Sequence, residues 1–356
     1  MTDASQSVSR RAVLQMLAAA SFAASDRARA APSLNIYSWP NYFSGNDLAG
    51  FARQSGIVPN ISNYDSNDIL FSKLNSASGA GFDIVIPSSS WIAVLRQHGL
   101  LQEIDPARIN LSTLAPALLG RPYDPENRYS IPKDWGVLGV VYDPAAVGGE
   151  ISTWRDFLDA SERPGVSGKV RLSSSAWEVI GIALWLQGKD WNAVDADAIR
   201  AAGDVLRPFM KHVSSFDALD PNELANGTIV MAQSNQSVAR TALMLNPKLH
   251  WVVPKPMSEI WVDCYAIARN APHVDAAYEF LSYQLRPDVQ LQETVAIGFP
   301  AALAGLRDKV EPGVAHFDMI FGGKNLDIGK LTSFVVNPKT IGVYLQTQLE
   351  LQAAAD

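Results

Sequence analysis

The chain has 356 residues, 47% of them hydrophobic and 18% charged, and a formal charge of −7. That length exceeds what one hydrophobic core usually serves, so two lobes are expected. The acidic balance argues against nucleic acid, whose binders carry basic patches, and no stretch after residue 30 approaches the ~20 unbroken apolar residues of a membrane span.

The N-terminus reads as an export signal. Ser9-Arg10-Arg11-Ala12-Val13-Leu14 sets a twin-arginine pair before a short apolar run through Ala24, and Ala28-Arg29-Ala30 supplies the small residues of a cleavage site. Residues 1–30 are therefore expected to be a Tat-type signal peptide, with an ordinary Sec signal as the alternative. Cys264 is the single cysteine. It permits no intrachain disulfide, and no cysteine near the cleavage site is placed to take a lipid. The mature chain is expected to be soluble in the periplasm, without a lipid anchor.

Strands and helices then alternate. Leu34–Ser38 reads as a strand, Asn46–Gln54 as a helix stopped at Gly56, Ile57–Asn63 as a strand and Asp68–Ser78 as a helix. Phe82–Ile86 reads as a buried strand, and Trp91–His98 as a helix stopped at Gly99. This βαβαβα order predicts a mostly parallel sheet with helices on both faces. A second set follows Tyr142-Asp143, with strands at Lys169–Leu172 and Ile229–Gln233 and helices at Trp177–Leu186 and Asp195–Phe209. Trp261–Ala268 reads as a strand leading into a helix on which Val274, Ala277, Leu281 and Leu285 recur at helical spacing. The expected division is 31–140 plus 266–356 for the first lobe, including the C-terminal helices, and 141–265 for the second. Strands at Gly139–Asp143 and Asp263–Ala266 are the candidate hinge.

Ligands of open α/β sheets sit beyond the carboxyl ends of strands. Trp39-Pro40-Asn41-Tyr42 lies just past the first strand, Ser88–Ser90 past the third, Ser175–Glu178 past Lys169–Leu172, and Asn235 past Ile229–Gln233. Two aromatic rings beyond a strand end are badly placed for a core and well placed for a cleft.

The runs NIYSWPNY, YDSND, FDIVIPSSS, YSIPKDWG, WVDCYAI and LRPDV, in order along nearly the whole mature chain, resemble the bacterial periplasmic polyamine-binding proteins, the spermidine/putrescine receptors of ABC importers. The resemblance implies an α/β periplasmic binding protein fold: two lobes, each a mostly parallel sheet flanked by helices, joined by a strand hinge. It implies a small amine ligand, an inner-membrane permease and its ATPase as partners, a monomeric receptor and no catalysis, cofactor or metal. Carried over by position, Trp39 and Tyr42 match the first aromatic pair and Ser88 a polar contact. Glu178 matches an acid in the second lobe, and Trp261 with Asp263 matches a W-x-D pair. Asn41 and Ser90 complete the candidate set, with Asn235 and Phe299. Ser90 and Phe299 stand where such receptors have Tyr, Ser175 where they have Asp, and Asn235 where a Trp is expected; a further acid of putrescine receptors would fall near Val238.

An alkyl diamine is a greasy chain with cationic ends. Aromatic faces attract each ammonium by ~0.5–2 kcal/mol, and buried carboxylates need such a partner. Several residues have blander readings: Asn235 as a helix cap, Glu178 as a first-turn acid, Ser88–Ser90 as a helix start and Trp135 as structural. Two other functions stay open. One is a receptor for another cationic or zwitterionic solute, such as an amino acid derivative or betaine. The other is an exported enzyme with Cys264 as nucleophile, against which stands Cys264 as a buried strand thiol.

Overall fold

The computed structural model describes residues 33–76, 81–192, 194–310 and 314–355; the signal peptide read at residues 1–30 lies outside them. Strands β1 (Ser33–Ser38), β2 (Val58–Asn63) and β3 (Ile84–Val85) form a parallel set in the order β2-β1-β3. Helix Gly45–Ser55 between the first two strands ends because Gly56 takes a left-handed φ of 74° and returns its N–H to the Ala52 carbonyl. Helix Asn67–Leu74 starts where the Ser66 side chain accepts the Ile69 N–H. Helix Ser89–Gln97 follows β3 directly.

The element that joins the lobes is β4, Ile131–Tyr142, twelve residues that are all buried. Beyond it come β5 (Val170–Arg171), β6 (Val213–Ser215), β7 (Met231–Asn235), β8 (His250–Val252) and β9 (Ile260–Ile267). The strand order is β2-β1-β3-β9-β4-β7-β5-β6, with β8 also on β4. The first part of β4, through Val137, pairs antiparallel with β9, which pairs in turn with β3. From Leu138 onward β4 pairs antiparallel with β7, and from Val140 also with β8. The β7, β5 and β6 strands are parallel to one another.

The change of partner between Val137 and Leu138 lies just before the expected hinge segment Gly139–Asp143. A second crossing runs beside it: the Leu138 N–H donates to the Glu259 carbonyl (3.1 Å), and the Ser258 hydroxyl to the Leu138 carbonyl (2.7 Å). That places this crossing at the start of β9 rather than at Asp263–Ala266, which is bonded into the first lobe. A third segment follows, where the Ile260 N–H donates to Thr332 O and the Ser333 hydroxyl to Ile260 O, both at 2.9 Å.

Two glycines make β4 passable. A Cβ on Gly136 would lie 2.0 Å from Cζ2 of Trp261, and one on Gly139 would lie 2.4 Å from Cη2 of Trp251. Both indoles can approach the strand backbone this closely only because no side chain stands there.

The core is divided accordingly. Leu34, Ile36, Ile84, Ile131, Ile260 and Phe280 belong to one cluster; Val140, Trp154, Val170, Ile180, Phe334 and Tyr344 belong to another. The C-terminal helix Ile341–Ala353 departs from the division read from the sequence. Its Tyr344 and Leu351 pack in the second cluster, and the Tyr344 hydroxyl donates to Trp191 O at 2.9 Å. Phe334, stacked on Trp177 at 4.9 Å, begins that return. Helical periodicity marks a buried face without saying which core receives it.

Candidate functional site

The turn after β1 holds its aromatics away from the strand. Asn41 adopts φ 55°, a left-handed conformation that Asn tolerates, and the Asn63 side-chain amide donates to the carbonyls of Ser38 and Trp39 at 3.3 and 3.0 Å. Half-buried Trp39 lies against Tyr64, ring centres 4.6 Å apart, and its Nε1 is buried without a hydrogen-bond partner. Tyr42 turns inward and is buried. Its hydroxyl lies 2.6 Å from both Asp134 Oδ1 and Asp263 Oδ2.

One hydroxyl has one proton to donate, so two ionised carboxylates at that distance from it would leave one contact repulsive. Asp263 responds: burial first, and then the neighbouring Asp134 carboxylate, push its pKa up to about 7, against the opposing pull of the Ser88 and Tyr42 hydroxyls and of Lys133. Asp263 is 6% exposed, and its Oδ1 has no hydrogen-bond partner.

Asp134 has an internal cation. The Lys133 ammonium lies 2.7 Å from Asp134 Oδ2, 4.3 Å from the centre of the Tyr42 ring and 5.0 Å from that of Phe43. Adjacent strand residues normally point to opposite faces. The register shift of β4 between Pro132 and Asp134 breaks that alternation and brings both side chains to one side. Behind the pair lie buried Asp47 and Glu293, and burial pushes both carboxyls up, that of Glu293 to about 7.

From Asp263 the aromatics lead across the lobe junction. Tyr42 faces Phe299 at 6.4 Å, and Phe299 meets Trp261 edge-on at 5.1 Å. Trp261 then lines a cavity of about 290 Å³ with Leu138, Ser175, Glu178, Asn235 and Val238. Glu178 sits in the first turn of helix Ala176–Leu186, with acceptance from the Ser173 hydroxyl. Its carboxyl adjoins that of Glu259, and burial pushes both pKa values up, Glu259 well up with the Glu178 charge as second cause.

The candidates read from the sequence therefore fall into three groups. Tyr42, Asp263, Trp261 and Phe299 form one continuous path, with Ser88 bridged to Asp263 through the backbone; Glu178 and Asn235 line the cavity at its end. Asn235 is also a helix cap, its Oδ1 accepting the N–H groups of Ser237 and Val238 at 3.0 Å. Trp39 reaches the path through Tyr64, whose phenol feels the Asp263 charge. Two candidates stand apart. Asn41 is exposed in its turn, and Ser90 is buried at the crossing, its carbonyl accepting the Val336 N–H at 2.9 Å. Trp135 is buried, its carbonyl held by the Gln236 side chain at 3.3 Å. Cys264 is buried with its Sγ beside the Tyr123 hydroxyl (4.0 Å), and burial pushes the thiol well up, so it offers no thiolate.

Sequence reading missed Lys133, Asp134 and Glu259. The first two lie inside a recognised run but need a bulge to meet. Glu259 had a visible signal: with Trp261 and Asp263 it completes Glu-x-Trp-x-Asp, three residues on one face of a strand.

Residues 48–315 match the model of the bacterial extracellular solute-binding protein family. The chain belongs to that family. It is 31% identical over 287 residues to the spermidine/putrescine-binding periplasmic protein of Escherichia coli K12, covering 80% of this chain and 81% of that one. It is 30% identical over 279 residues to a putrescine-binding periplasmic protein of the same organism, covering 72% and 74%. Among solved structures, the fold is similar to that of a spermidine/putrescine ABC transporter substrate-binding protein from Streptococcus pneumoniae. The TM-score is 0.80 at 24% identity, with 91% of this chain and 99% of the other covered. Among the described residues no helix is long and apolar enough to cross a membrane.

Proposed function

We propose that this family member is a monomeric periplasmic receptor that closes its lobes on a small alkyl amine and delivers it to an inner-membrane permease and ATPase. The amine carries two positive charges or fewer; putrescine is the model ligand. Asp263 carries the reading. A buried carboxyl with an unpartnered oxygen, beside the Trp261–Phe299 pair, is costly until a cation reaches it. The names of the relatives support an amine as that cation. Trp39, Tyr42, Ser88, Asn235 and Phe299 shape the cleft around it, and Glu178 supplies the acid of the second lobe.

The charge limit follows from pairing. Asp134 is already neutralised by Lys133 at 2.7 Å. The remaining buried acids of the cleft lie at two positions, Asp263 and Glu178 with Glu259, so a third ligand ammonium would be buried away from both, at a cost of several kcal/mol. A zwitterion fits less well, because its carboxylate would find the Trp39 Nε1–H as a donor but no free cation among the described residues lining the cavity. The Lys133 ammonium is committed to Asp134, and the Ser88 amide donates to Asn67 Oδ1 at 3.1 Å.

A thermal-shift screen of the mature chain against diamines, triamines, betaines and basic amino acids tests the reading. The largest shift should come with a diamine; stabilisation by betaines alone would overturn it. The export route by way of Arg10 and Arg11 is a separate proposal. Replacing both by Lys should leave precursor in the cytoplasm, and unchanged export would assign the signal to the Sec route.

A further inference from the structure

The sequence pattern and the lobe junction together single out Glu259. It precedes β9, its carbonyl accepts the Leu138 N–H at 3.1 Å, and it bridges to Thr332, so all three crossing segments meet at this residue. Its side chain is an acid at 3% exposure whose carboxyl takes a backbone hydrogen bond at Phe334 and adjoins that of Glu178, and its Oε2 has no partner. Two buried carboxylates side by side repel, so adjoining carboxyls hold a proton between them. Glu178 opens onto the 290 Å³ cavity, whose other titratable lining residue is the exposed Asp217; no Lys, Arg or His is among the described residues lining it. The nearest acid along β9 is Asp263. Glu259 and Asp263, four residues apart on one strand face with Trp261 between them, are separated by about 13 Å of backbone.

We infer that Glu259 is a specificity-determining residue of the cleft, and that the second ammonium of a diamine displaces the proton shared by Glu259 and Glu178. This rests on the reading of the chain as an amine receptor. The exchange balances: a protonated carboxyl and a carboxylate become two carboxylates around one ammonium, and the proton leaves to solvent. The raised pKa values of both groups agree in direction. Diamine affinity then falls with acidification, by about ten-fold per pH unit while one proton is released per ligand. A monoamine seated at Asp263 leaves the pair untouched.

Calorimetric titration of the mature chain with 1,4-diaminobutane and 1-aminobutane, in phosphate and in Tris at one pH, counts the protons released. The diamine should release about one more proton than the monoamine. Glu259→Gln, nearly isosteric, should abolish that difference and weaken the diamine by about ten-fold or more while leaving the monoamine unchanged. Glu178→Gln should act in the same direction, which keeps the test valid if one variant folds poorly. Diamine binding whose proton count and affinity are unaltered in Glu259→Gln overturns this inference alone. Absence of binding by any amine overturns the receptor reading and this inference with it.

Discussion

The two walls of the cleft hold acids in opposite states. On the first-lobe wall, Asp134 has Lys133 at 2.7 Å and the Tyr42 hydroxyl at 2.6 Å, and the space left behind it is about 10 Å³, room for one water at most. On the second-lobe wall, Glu178 faces about 290 Å³, and Glu259 lies buried behind it. An acid supplied with an internal cation is part of the scaffold. An acid pair with hydrogen bonds but no internal cation is an unfilled receptor. Asp263 stands between these states, with one oxygen bonded to Tyr42 and the other unpartnered.

The sharpest way to break this contrast is to remove the internal cation. Lys133→Met leaves Asp134 buried and unpaired, and losing one partner of such a pair costs about 3–5 kcal/mol. The urea midpoint should fall at pH 8. The variant should also gain relative affinity for spermidine, having regained an acid. Unchanged stability at pH 8 would show that the pair does not hold the first wall together.

Neutralising the intermediate acid comes next. Asp263→Asn keeps the shape and removes a desolvated ionic contact, which should cost about 2–5 kcal/mol of amine binding, roughly 30-fold or more. Without ligand the sign reverses. The unfolded chain releases the proton of an ordinary Asp near pH 3.9, whereas the folded protein keeps it until about pH 7. The folded state therefore binds more protons between those values, and stability falls as pH rises through that window. The variant should flatten the fall, as seen by denaturant titration from pH 4 to 8; an identical slope would show that Asp263 titrates as a surface acid.

The smallest effect belongs to Asn235 on the second wall. Its cap of helix Gln236–Leu245 predicts that Asn235→Ala loses about 1 kcal/mol of stability and little affinity. A large affinity loss at unchanged stability would make it a ligand contact instead.

How far the sequence spoke follows from which interactions are local. The parallel β1–β3 set, the stop at Gly56 and the turn that carries Trp39 and Tyr42 depend on periodicity and turn chemistry, and were legible. The double role of β4 was not, since a buried run containing Gly136 and Gly139 gives no sign of where it changes partner. Lys133 and Asp134 were hidden by the alternation rule that their bulge violates. Asn235 carried two readings, cap and pocket, which its position on the cavity lets both stand. Glu259 was legible in Glu-x-Trp-x-Asp, yet an acid before a strand is ordinary until its burial is known.

The central claim is that, with Asp134 held by Lys133, the cleft offers buried acids at two ammonium positions, Asp263 and the Glu178–Glu259 pair, and, among the described residues, at no third. Direct competition between putrescine and spermidine, followed by calorimetry on the mature chain at pH 7.5, tests it most simply. The account predicts tighter binding of putrescine; tighter binding of spermidine would contradict it.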